Sequence, residues 1–511
     1  MNRPIRPLLA IVIVLSLVAG CSGNGDSSGG GLADLLAGVT STTGSAADGD
    51  DQPGTSEGDA SPTIMWDGND GTMQVPLDHD DPDGATIELA LVRRPANDPD
   101  DSLGPLLLNP GGPGASGNEL VMLAGLILPS EVLDRFDIIG FDPRGVADST
   151  PVTCGDHAFM DTYTAVDPVP DSPEETAEAE AVIEQFADNC VAESGELLPH
   201  INTVATARDM DLIRQALGAE QITYLGFSYG TFLGATYIEM FPERVRAAVL
   251  DGAYSRSLTG GDMAAGQAEG FERSIDAFLE WCTPQRCDLA SGGDPADELF
   301  GLLDAIDAKP LPTSDGRQLT VGLAWTGVIM AMYSPGLWPL LDRALVLARD
   351  NGDGSRLLGL ADQYNSRSPD GEFDNSQYAF NVISCGDEPA GSTETDAEVV
   401  ARVLAVASRV GPVFVSLPSP CDHLDLDTGA PSGPFSAPDA PPLLVIATTG
   451  DPATPYQWGV TLAEELETST LLTVEGDAHT AYGGGITCVN DIVDAYLLEL
   501  ELPPEGTTCK G

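Results

Sequence analysis

The segment QITYLGFSYGTFLGATYIEMF, residues 221–241, places an apolar run, a serine between glycines and a helix-like pattern in direct succession. The apolar run is typical of a buried strand, and the residues after Ser228 are typical of a helix. A serine held in a strained, exposed turn between a strand and a helix needs small neighbours, which Gly226 and Gly230 provide. The segment therefore predicts that Ser228 is a nucleophile. The alternative is a glycine-rich turn that contains a serine by chance.

Short apolar runs that end in Gly, Pro or Asp recur on both sides of this segment. Near-continuous apolar runs of this kind are typical of a buried, mainly parallel sheet whose strand ends face a site. Residues 205–218 form an amphipathic helical pattern, as expected for a crossover helix. This alternation predicts an α/β fold with a doubly wound, mainly parallel sheet. Besides residues 221–228, the predicted strands are residues 87–95, 105–112, 136–145, 245–252 and 441–451.

The strand pattern fades between residues 253 and 440, where helical pieces and loops replace it. An insertion of this length that returns to the sheet at Pro441 predicts a large, mainly helical cap. The sheet domain is then divided into a first part, residues 63–252, and a C-terminal part, residues 441–511. We expect the cap to shape the substrate pocket.

A serine hydroxyl is a weak nucleophile near neutral pH, so it needs a base within reach and a group that orients this base. His479 is the predicted base, because it follows the run LLTVEG in the loop GDAHT, where the last strand of the sheet is expected to end. Asp451 is the predicted acid, because it closes the run LLVIATTG and gives the order serine, acid, histidine. Asp477 is the second candidate, but it is very near His479 in sequence. The other histidines are His79, His157, His200 and His423, the last of them in the predicted cap.

Acyl transfer also needs hydrogen-bond donors for the oxyanion of the tetrahedral intermediate. The backbone N–H of Tyr229, directly after the serine, is one predicted donor. The second is expected from the glycine-rich loop at residues 109–114, with Gly112 as the predicted donor. Glycines let the main chain approach the substrate closely. The alternative is that this loop is only a structural turn.

The chain of 511 residues carries 80 acidic and 22 basic side chains, a formal net charge of −58. Such a surface repels phosphate backbones, which argues against nucleic acid as a partner. The acidity either keeps the protein soluble or attracts a cationic substrate, such as a peptide with a free amino terminus. No cofactor is expected, because the glycine loop has neither the P-loop ending nor the dinucleotide spacing. No metal is expected, because Cys-x-x-Cys is absent and the histidines are scattered.

Residues 1–20 predict a secretory signal peptide, with Arg3 and Arg6 before an apolar run that is too short to span a bilayer. The sequence Val-Ala-Gly-Cys that ends at Cys21 resembles the bacterial lipobox, so Cys21 is expected to become a lipidated amino terminus. Residues 21–62, rich in Gly, Ser, Thr and Asp, are expected to form a flexible tether. We therefore expect an exported, outward-facing protein on the cell membrane, with partial release. An ordinary signal peptide with an incidental cysteine is the alternative.

Setting Cys21 aside from the nine cysteines leaves an even number. In an exported chain an even set suggests disulfides, although many pairings are open. We expect four bridges between sequence neighbours, with metal ligation as the alternative. The cysteines concerned are Cys154, Cys190, Cys282, Cys287, Cys385, Cys421, Cys488 and Cys509.

Several motifs span almost the whole predicted body: NPGGPGASG, GFDPRG, GFSYG, VLDG, SCGDEP, TTGDPATP and GDAHT. They resemble those of the secreted tripeptidyl aminopeptidases and proline-iminopeptidase-like hydrolases of actinobacteria. The resemblance implies the α/β-hydrolase fold with a cap, and cleavage of residues or short peptides from a free amino terminus through an acyl-enzyme on Ser228. Asn109 stands where a histidine usually begins the glycine loop of the proline iminopeptidases. This departure favours the tripeptidyl-aminopeptidase branch.

The resemblance also implies carboxylates that hold the substrate ammonium group, for which Asp387 and Glu388 in SCGDEP are the candidates. Asp142 and Arg144 of GFDPRG are expected to organise the loop beneath the site. The expected partner is a peptide with a free amino terminus. We expect a monomer that contacts the membrane through its lipid anchor only.

Three other functions compete with this interpretation. A carboxylesterase or lipase that acts on envelope or environmental esters would use the same serine, acid and histidine, because specificity depends on the cap. A catalytically inert surface lipoprotein that binds peptides is disfavoured by the intact set of catalytic residues. A metallo-enzyme is disfavoured by the lack of a ligand cluster.

Overall fold

The computed structural model describes residues 62–388, 395–424, 426 and 429–511. The predicted signal peptide, Cys21 and the tether up to residue 61 lie outside the described residues. Within the described part of the chain, no helix is both long and apolar enough to cross a membrane.

One mixed sheet forms the centre of the molecule, and among the described residues it has ten strands. Along the sheet the order is first, second, third, fifth, fourth, sixth, seventh, tenth, eleventh and twelfth strand of the chain. The first three pair antiparallel with one another at one side of the sheet, and the third pairs antiparallel with the fifth. From the fifth strand onward along the sheet, all neighbours run parallel. The strands are β1 (Ile64–Asp67), β2 (Asp70–Pro76), β3 (Thr86–Arg94), β4 (Pro105–Asn109), β5 (Asp137–Phe141), β6 (Ile222–Phe227), β7 (Val245–Asp251), β10 (Leu443–Thr448), β11 (Ser469–Glu475) and β12 (Thr508–Lys510), with β8 (Leu311–Pro312) and β9 (Gln318–Leu319) in a separate hairpin.

Helices cover both faces of the sheet and build the cap. Those of the sheet domain are α1 (Gly117–Met122), α2 (Ala124–Ile127), α3 (Ser130–Arg135), α4 (His157–Tyr163), α5 (Pro173–Ser194), α6 (Thr203–Ala216) and α7 (Tyr229–Met240). Those of the cap are α8 (Gly260–Trp281), α9 (Pro295–Ala308), α10 (Val321–Met332), α11 (Trp338–Asn351), α12 (Ser355–Tyr364), α13 (Ser376–Gly386), α14 (Asp396–Val406), α15 (Gly411–Val415) and α16 (Cys421–Leu424). After the cap follow α17 (Tyr456–Glu465) and α18 (Thr487–Glu499).

The sheet is covered by an apolar layer on each face. Successive residues of a strand point to opposite faces, and in β4 Leu107 packs with the layer that includes α6 and α7, whereas Leu106 packs with the layer that includes α1, α3 and α18. Strands β6 and β10 are buried at every position, as is typical of strands covered on both sides. The predicted α/β fold with a mainly parallel, doubly wound sheet is confirmed.

The cap lies between β7 and β10 in sequence and has an apolar core of its own. Ile275, Leu303, Val328, Leu345 and Leu357, from five successive helices, are all buried in this second core. In α8 to α12 each helix buries its apolar face against another helix of the cap. The buried apolar residues of α13 and α16 pack instead with the layer of α6 and α7 on the sheet.

A second helical excursion, α4 and α5, leaves the sheet between β5 and α6, in the segment that the sequence assigned to the first part of the core. It is joined to the cap by an ion pair between Arg367 and Asp161, at 2.6 Å, and by a hydrogen bond from Thr320 to the main-chain oxygen of Ala165. This contact could not be predicted, since helices that pack on a sheet and helices that pack on a cap have the same period.

Three strands of the sheet were missed from the sequence: the edge strands β1 and β12, and β2, which lies between β1 and β3. β12 has only three residues, which is too short to show a period, and it lies beside β11, where the Cys488–Cys509 disulfide holds it to α18. The loop of His479 therefore follows the last strand but one, and not the last strand as expected.

Each of the eight remaining cysteines is bonded to its sequence neighbour. The bridges are Cys154–Cys190, Cys282–Cys287, Cys385–Cys421 and Cys488–Cys509. Two of them, Cys385–Cys421 and Cys488–Cys509, join separate elements. Cys154–Cys190 ties the loop before α4 to α5, and Cys282–Cys287 closes a short loop after α8. Asp342 lies against the Cys282–Cys287 pair, but disulfide sulfurs offer no thiolate for a metal.

Candidate active site

Ser228 occupies the sharp turn between β6 and α7. Its φ of 53° and ψ of −124° lie in a region that L-residues rarely adopt. The main-chain N–H of Ser228 donates to the main-chain oxygen of Asp251 at 2.8 Å. The main-chain oxygen of Ser228 accepts a hydrogen bond from the hydroxyl of Thr231 at 2.7 Å. A Cβ on Gly226 would collide with the oxygen of Gly230, so the turn closes only with glycine at this position.

The glycine-rich loop packs directly on this turn. Gly111 has a φ of 94°, and a Cβ there would collide with the oxygen of Phe227 and lie 3.0 Å from the Cβ of Ser228. Gly112 follows with a φ of 107°. Tyr229 is the first residue of α7, and the first N–H groups of a helix have no partner within it. The predicted oxyanion donors, Gly112 and Tyr229, therefore lie on adjoining segments around Ser228.

His479 and Asp451 are in direct contact. Nδ1 of His479 lies 2.9 Å from both carboxylate oxygens of Asp451, which is fully buried. Asp451 also accepts the N–H groups of Ala453 and Thr454 and the hydroxyl of Thr454, at 2.8 to 3.0 Å. A histidine whose Nδ1–H is bonded to a carboxylate presents Nε2 as its acceptor. This pair can orient an imidazole for proton transfer.

Burial would lower the pKa of His479, but the charge of Asp451, its hydrogen bond and, to a smaller degree, the charge of Asp251 outweigh it, so that the pKa is raised. The cap fixes the ring from the other side. The main-chain N–H of His479 donates to the main-chain oxygen of Tyr333 at 2.9 Å, and the imidazole meets the ring of Tyr333 edge to face. The imidazole is thus held by the sheet through Asp451 and by the cap through Tyr333.

The other candidates for base and acid lie away from this pair. Asp477 packs beside Gly450, and no described contact joins it to the imidazole of His479. His79 bonds to the buried Asp209, His157 accepts the N–H of Phe373, the main-chain oxygen of His200 accepts from Arg144, and His423 lies in α16.

Asp142 and Arg144 hold the loops beneath the glycine loop. Asp142 accepts the hydroxyl of Ser116 at 2.5 Å and the N–H of Asn118, and burial raises its pKa to about 6. Arg144 is completely buried and donates to both carboxylate oxygens of Asp209 at 2.7 Å. Both side chains are therefore occupied by contacts to the protein itself.

Asp387 lies at the C-terminal end of α13, and its neighbour Glu388 is exposed. Asp387 accepts the N–H and the hydroxyl of Thr203, at 2.7 and 2.6 Å, and the same hydroxyl bonds to the phenol of Tyr229. Burial raises the pKa of Asp387 to about 7. The pKa of Tyr254 is also raised, by burial and by the charge of Asp387. Asp387 is thus one hydroxyl away from the residue that follows the candidate nucleophile.

Sequence reasoning missed the supporting residues of the site, which are Thr203, Asp251, Tyr333 and Thr454. Asp251 had a readable signal, because it ends a strand at the same edge of the sheet as Ser228. Tyr333 had none, because it contributes a main-chain oxygen that any residue could supply.

Comparison with known proteins gives the family. A model described as "alpha/beta hydrolase fold" matches residues 104–485. Serine protease Hip1 of Mycobacterium tuberculosis (strain ATCC 25618 / H37Rv) is 39% identical over 456 residues, 86% of each chain. A Carboxylesterase B of the same strain is 37% identical over 86% of this chain and 85% of the relative. The tripeptidyl aminopeptidase of Streptomyces lividans is 30% identical over 86% and 83%. The resemblance drawn from the motifs is confirmed, and the chain belongs to the α/β-hydrolase family as a serine hydrolase.

Proposed function

We propose that this serine hydrolase is an exported aminopeptidase that releases short peptides, tripeptides in particular, from free amino termini. Ser228 is the nucleophile, His479 is the base, and Asp451 is the acid that orients the base. The N–H groups of Tyr229 and Gly112 bind the oxyanion.

The order of proton transfers follows from these positions. The hydroxyl oxygen of Ser228 attacks the scissile carbonyl carbon, and Nε2 of His479 takes the hydroxyl proton. Asp451 stabilises the imidazolium through the Nδ1–H bond. The imidazolium then gives the proton to the leaving amine, and the acyl-enzyme remains. Water, activated by the same histidine, releases the short peptide with a new carboxylate.

The single observation that carries the aminopeptidase assignment is that the carboxylate of Asp387 has no cationic partner among the described residues. Its polar contacts within the described residues come from Thr203, and no described arginine, lysine or histidine pairs with it. Asp387 is half-buried, and a carboxylate that is removed from water without a counter-charge has a raised pKa. A substrate ammonium group would supply the missing charge, and its pairing would be strong because the site is surrounded by protein. The exposed Glu388 adds a second negative charge next to it.

The link from Asp387 through Thr203 to Tyr229 supports a short spacing between the ammonium site and Ser228. Such a spacing fits a substrate whose amino terminus is a few residues before the scissile bond. The similarity to a protein named tripeptidyl aminopeptidase supports three residues, and the similarity to one named serine protease supports a peptide substrate.

The test compares three substrates: a free tripeptidyl anilide, its N-acetylated twin and a short-chain aryl ester. We expect strong preference for the free tripeptide and complete loss of all activities in Ser228→Ala. In Asp387→Asn we expect KM for the free tripeptide to rise about 10- to 100-fold, because an ammonium group loses its half-buried, charged partner, while ester hydrolysis is retained. Glu388→Gln, at the exposed neighbour, is the matched control and should have a smaller effect. Activity that survives Ser228→Ala would refute the assignment.

A second candidate function is a carboxylesterase, which the similarity to a protein named Carboxylesterase B favours. The same serine, acid and histidine would cleave an ester through the same acyl-enzyme. Equal or better hydrolysis of the aryl ester than of the free tripeptide, with no effect of Asp387→Asn on either, would make this function the primary one.

For localisation we propose that the chain is exported through the signal at residues 1–20 and anchored at the outer face of the membrane by lipid on Cys21, as a monomer. The support is the sequence alone. In cells fed labelled palmitate, the wild-type protein should take up label and sediment with membranes. Cys21→Ser should lose the label and leave the membrane fraction, whereas Ser22→Ala should behave as wild type. Membrane retention of unlabelled Cys21→Ser would contradict the proposal.

A further inference from the structure

Asp251 bonds to both loops of the catalytic centre. It ends β7 and is completely buried. Its main-chain oxygen accepts the N–H of Ser228 at 2.8 Å. Oδ2 of its carboxylate accepts the N–H groups of Ala481, at 2.9 Å, and Tyr482, at 2.7 Å. One residue therefore connects the turn that carries the nucleophile with the loop that carries the base.

The chain at Asp251 also packs against the imidazole. The next residue, Gly252, has a φ of 72°, and a Cβ on it would lie 3.2 Å from Cε1 of His479. The ionisable groups whose charges act on Asp251 are His479, after β11, and Asp451, after β10. Burial raises the pKa of Asp251 to about 6, although the two N–H bonds lower it. Burial lowers the pKa of His479, whereas the charge of Asp451 and, to a smaller degree, that of Asp251 raise it.

We propose that Asp251 is a positioning residue of the catalytic centre, which keeps the turn of Ser228 and the loop of His479 in register and whose negative charge stabilises the imidazolium. The inference rests on the proposed roles of Ser228 and His479. Two carboxylates then serve one imidazole. Asp451 bonds to Nδ1 and sets the orientation of the ring, while Asp251 acts through its charge and through the backbone of the loop.

The two parts of this role can be separated by substitution. In Asp251→Asn, an amide oxygen at the position of Oδ2 keeps both N–H bonds to that atom. The amide nitrogen then replaces Oδ1, which has only the longer contact of 3.2 Å from the N–H of Ala481, so the charge is the main loss. We expect the acidic midpoint of kcat/KM for the aryl ester to move to lower pH by about one unit, because a nearby anion holds the proton on histidine. We expect kcat above the midpoint to fall about three- to tenfold, because the base is weaker.

Asp342→Asn is the matched control. Asp342 is also a buried carboxylate that accepts two successive backbone N–H groups, those of Asp288 and Leu289, but it lies in the cap. Its substitution should leave the midpoint unchanged. A purely structural role of Asp251 would make the two variants alike.

An unchanged midpoint in folded Asp251→Asn would overturn the proposal. If circular dichroism shows that this variant does not fold, the Ser228→Ala protein with isotope-labelled histidines is titrated by NMR instead. The resonance of His479 should then show a second inflection near pH 6, where Asp251 ionises, and a single-step curve would overturn the proposal. Wild-type enzyme without any Ser228-dependent hydrolysis would refute the proposed function itself, which is a distinct outcome.

Discussion

The sheet and the cap contribute to the site in different ways. The sheet presents Ser228, Asp451 and His479, each shortly after a parallel strand, at one edge. The cap adds Asp387 and the main-chain oxygen of Tyr333, each at the end of a helix. Strand order alone brings the first group together, whereas the second depends on how helices dock. We infer that the sheet determines the reaction and that the cap determines the substrate.

The largest expected effect tests the sheet side of this division. Asp451→Asn should lower kcat by about 10⁴-fold on peptide and ester alike, because the amide favours the wrong histidine tautomer. Asp477→Asn, at the acid two residues before the base, should stay close to the wild-type rate. Steady-state kinetics on both substrates decides between them. A larger loss in Asp477→Asn would reverse the assignment of the acid.

A substitution in the glycine-rich loop also tests the contribution of the sheet domain. In Gly111→Ala the new Cβ would press on the oxygen of Phe227 and on Ser228, so we expect kcat to fall by about 10²-fold as the oxyanion donors are displaced. Gly104→Ala is the control, because Gly104 has the same φ of 94° but open space surrounds it. Both variants should lose some stability in thermal unfolding, and only Gly111→Ala should lose kcat. Equal losses of kcat would mean that strain, and not contact with the nucleophile turn, governs the effect.

The same contrast explains how far the sequence could predict the site. Ser228, Asp451 and His479 follow apolar runs, and parallel strands bring their ends to one edge, so a reading of the sequence finds them together. Thr203 could not be found in this way. It is the first residue of α6 and looks like any helix-start threonine, and its role appears only when the end of α13 docks on it.

Fold prediction was limited by the same physics. The buried strands β4, β6, β7 and β10 have apolar runs that can be read directly. The edge strands β1 and β12 are short, and β2, beside β1, is exposed on one face, so none of the three has an apolar run that can be recognised. The excursion of α4 and α5 toward the cap is a tertiary contact between helices of ordinary period, and local sequence does not encode it.

The contact of Asp387 in the cap with Thr203 of the sheet domain is tested by Thr203→Val, which removes the hydroxyl that donates to Asp387 at 2.6 Å and keeps the shape of the side chain. We expect KM for the free tripeptide to rise about tenfold, in line with the loss of a hydrogen bond to a charged group, with ester hydrolysis unchanged. Thr206→Val is the control, one turn along α6, where the hydroxyl donates to the oxygen of Asn202. A similar loss of ester activity in Thr203→Val would show that its hydroxyl supports Tyr229 and the nucleophile turn, and would weaken the division between sheet and cap.

The smallest expected effect, a change of a few-fold in KM, is a pH dependence that only the cap should produce. The pKa of Asp387 is about 7, so its negative charge is lost as the pH falls through that value. The substrate amino group loses its positive charge above about pH 7.7 to 8.0. KM for the free tripeptide should therefore be lowest between these two values and rise on both sides. The N-acetylated twin and Asp387→Asn should show no such minimum, while the acidic fall of kcat, set by the raised pKa of His479, should be common to all substrates. A minimum of KM that persists in Asp387→Asn would place the ammonium site elsewhere in the cap. An acidic fall of kcat that is confined to the free tripeptide would mean that this fall does not arise from His479.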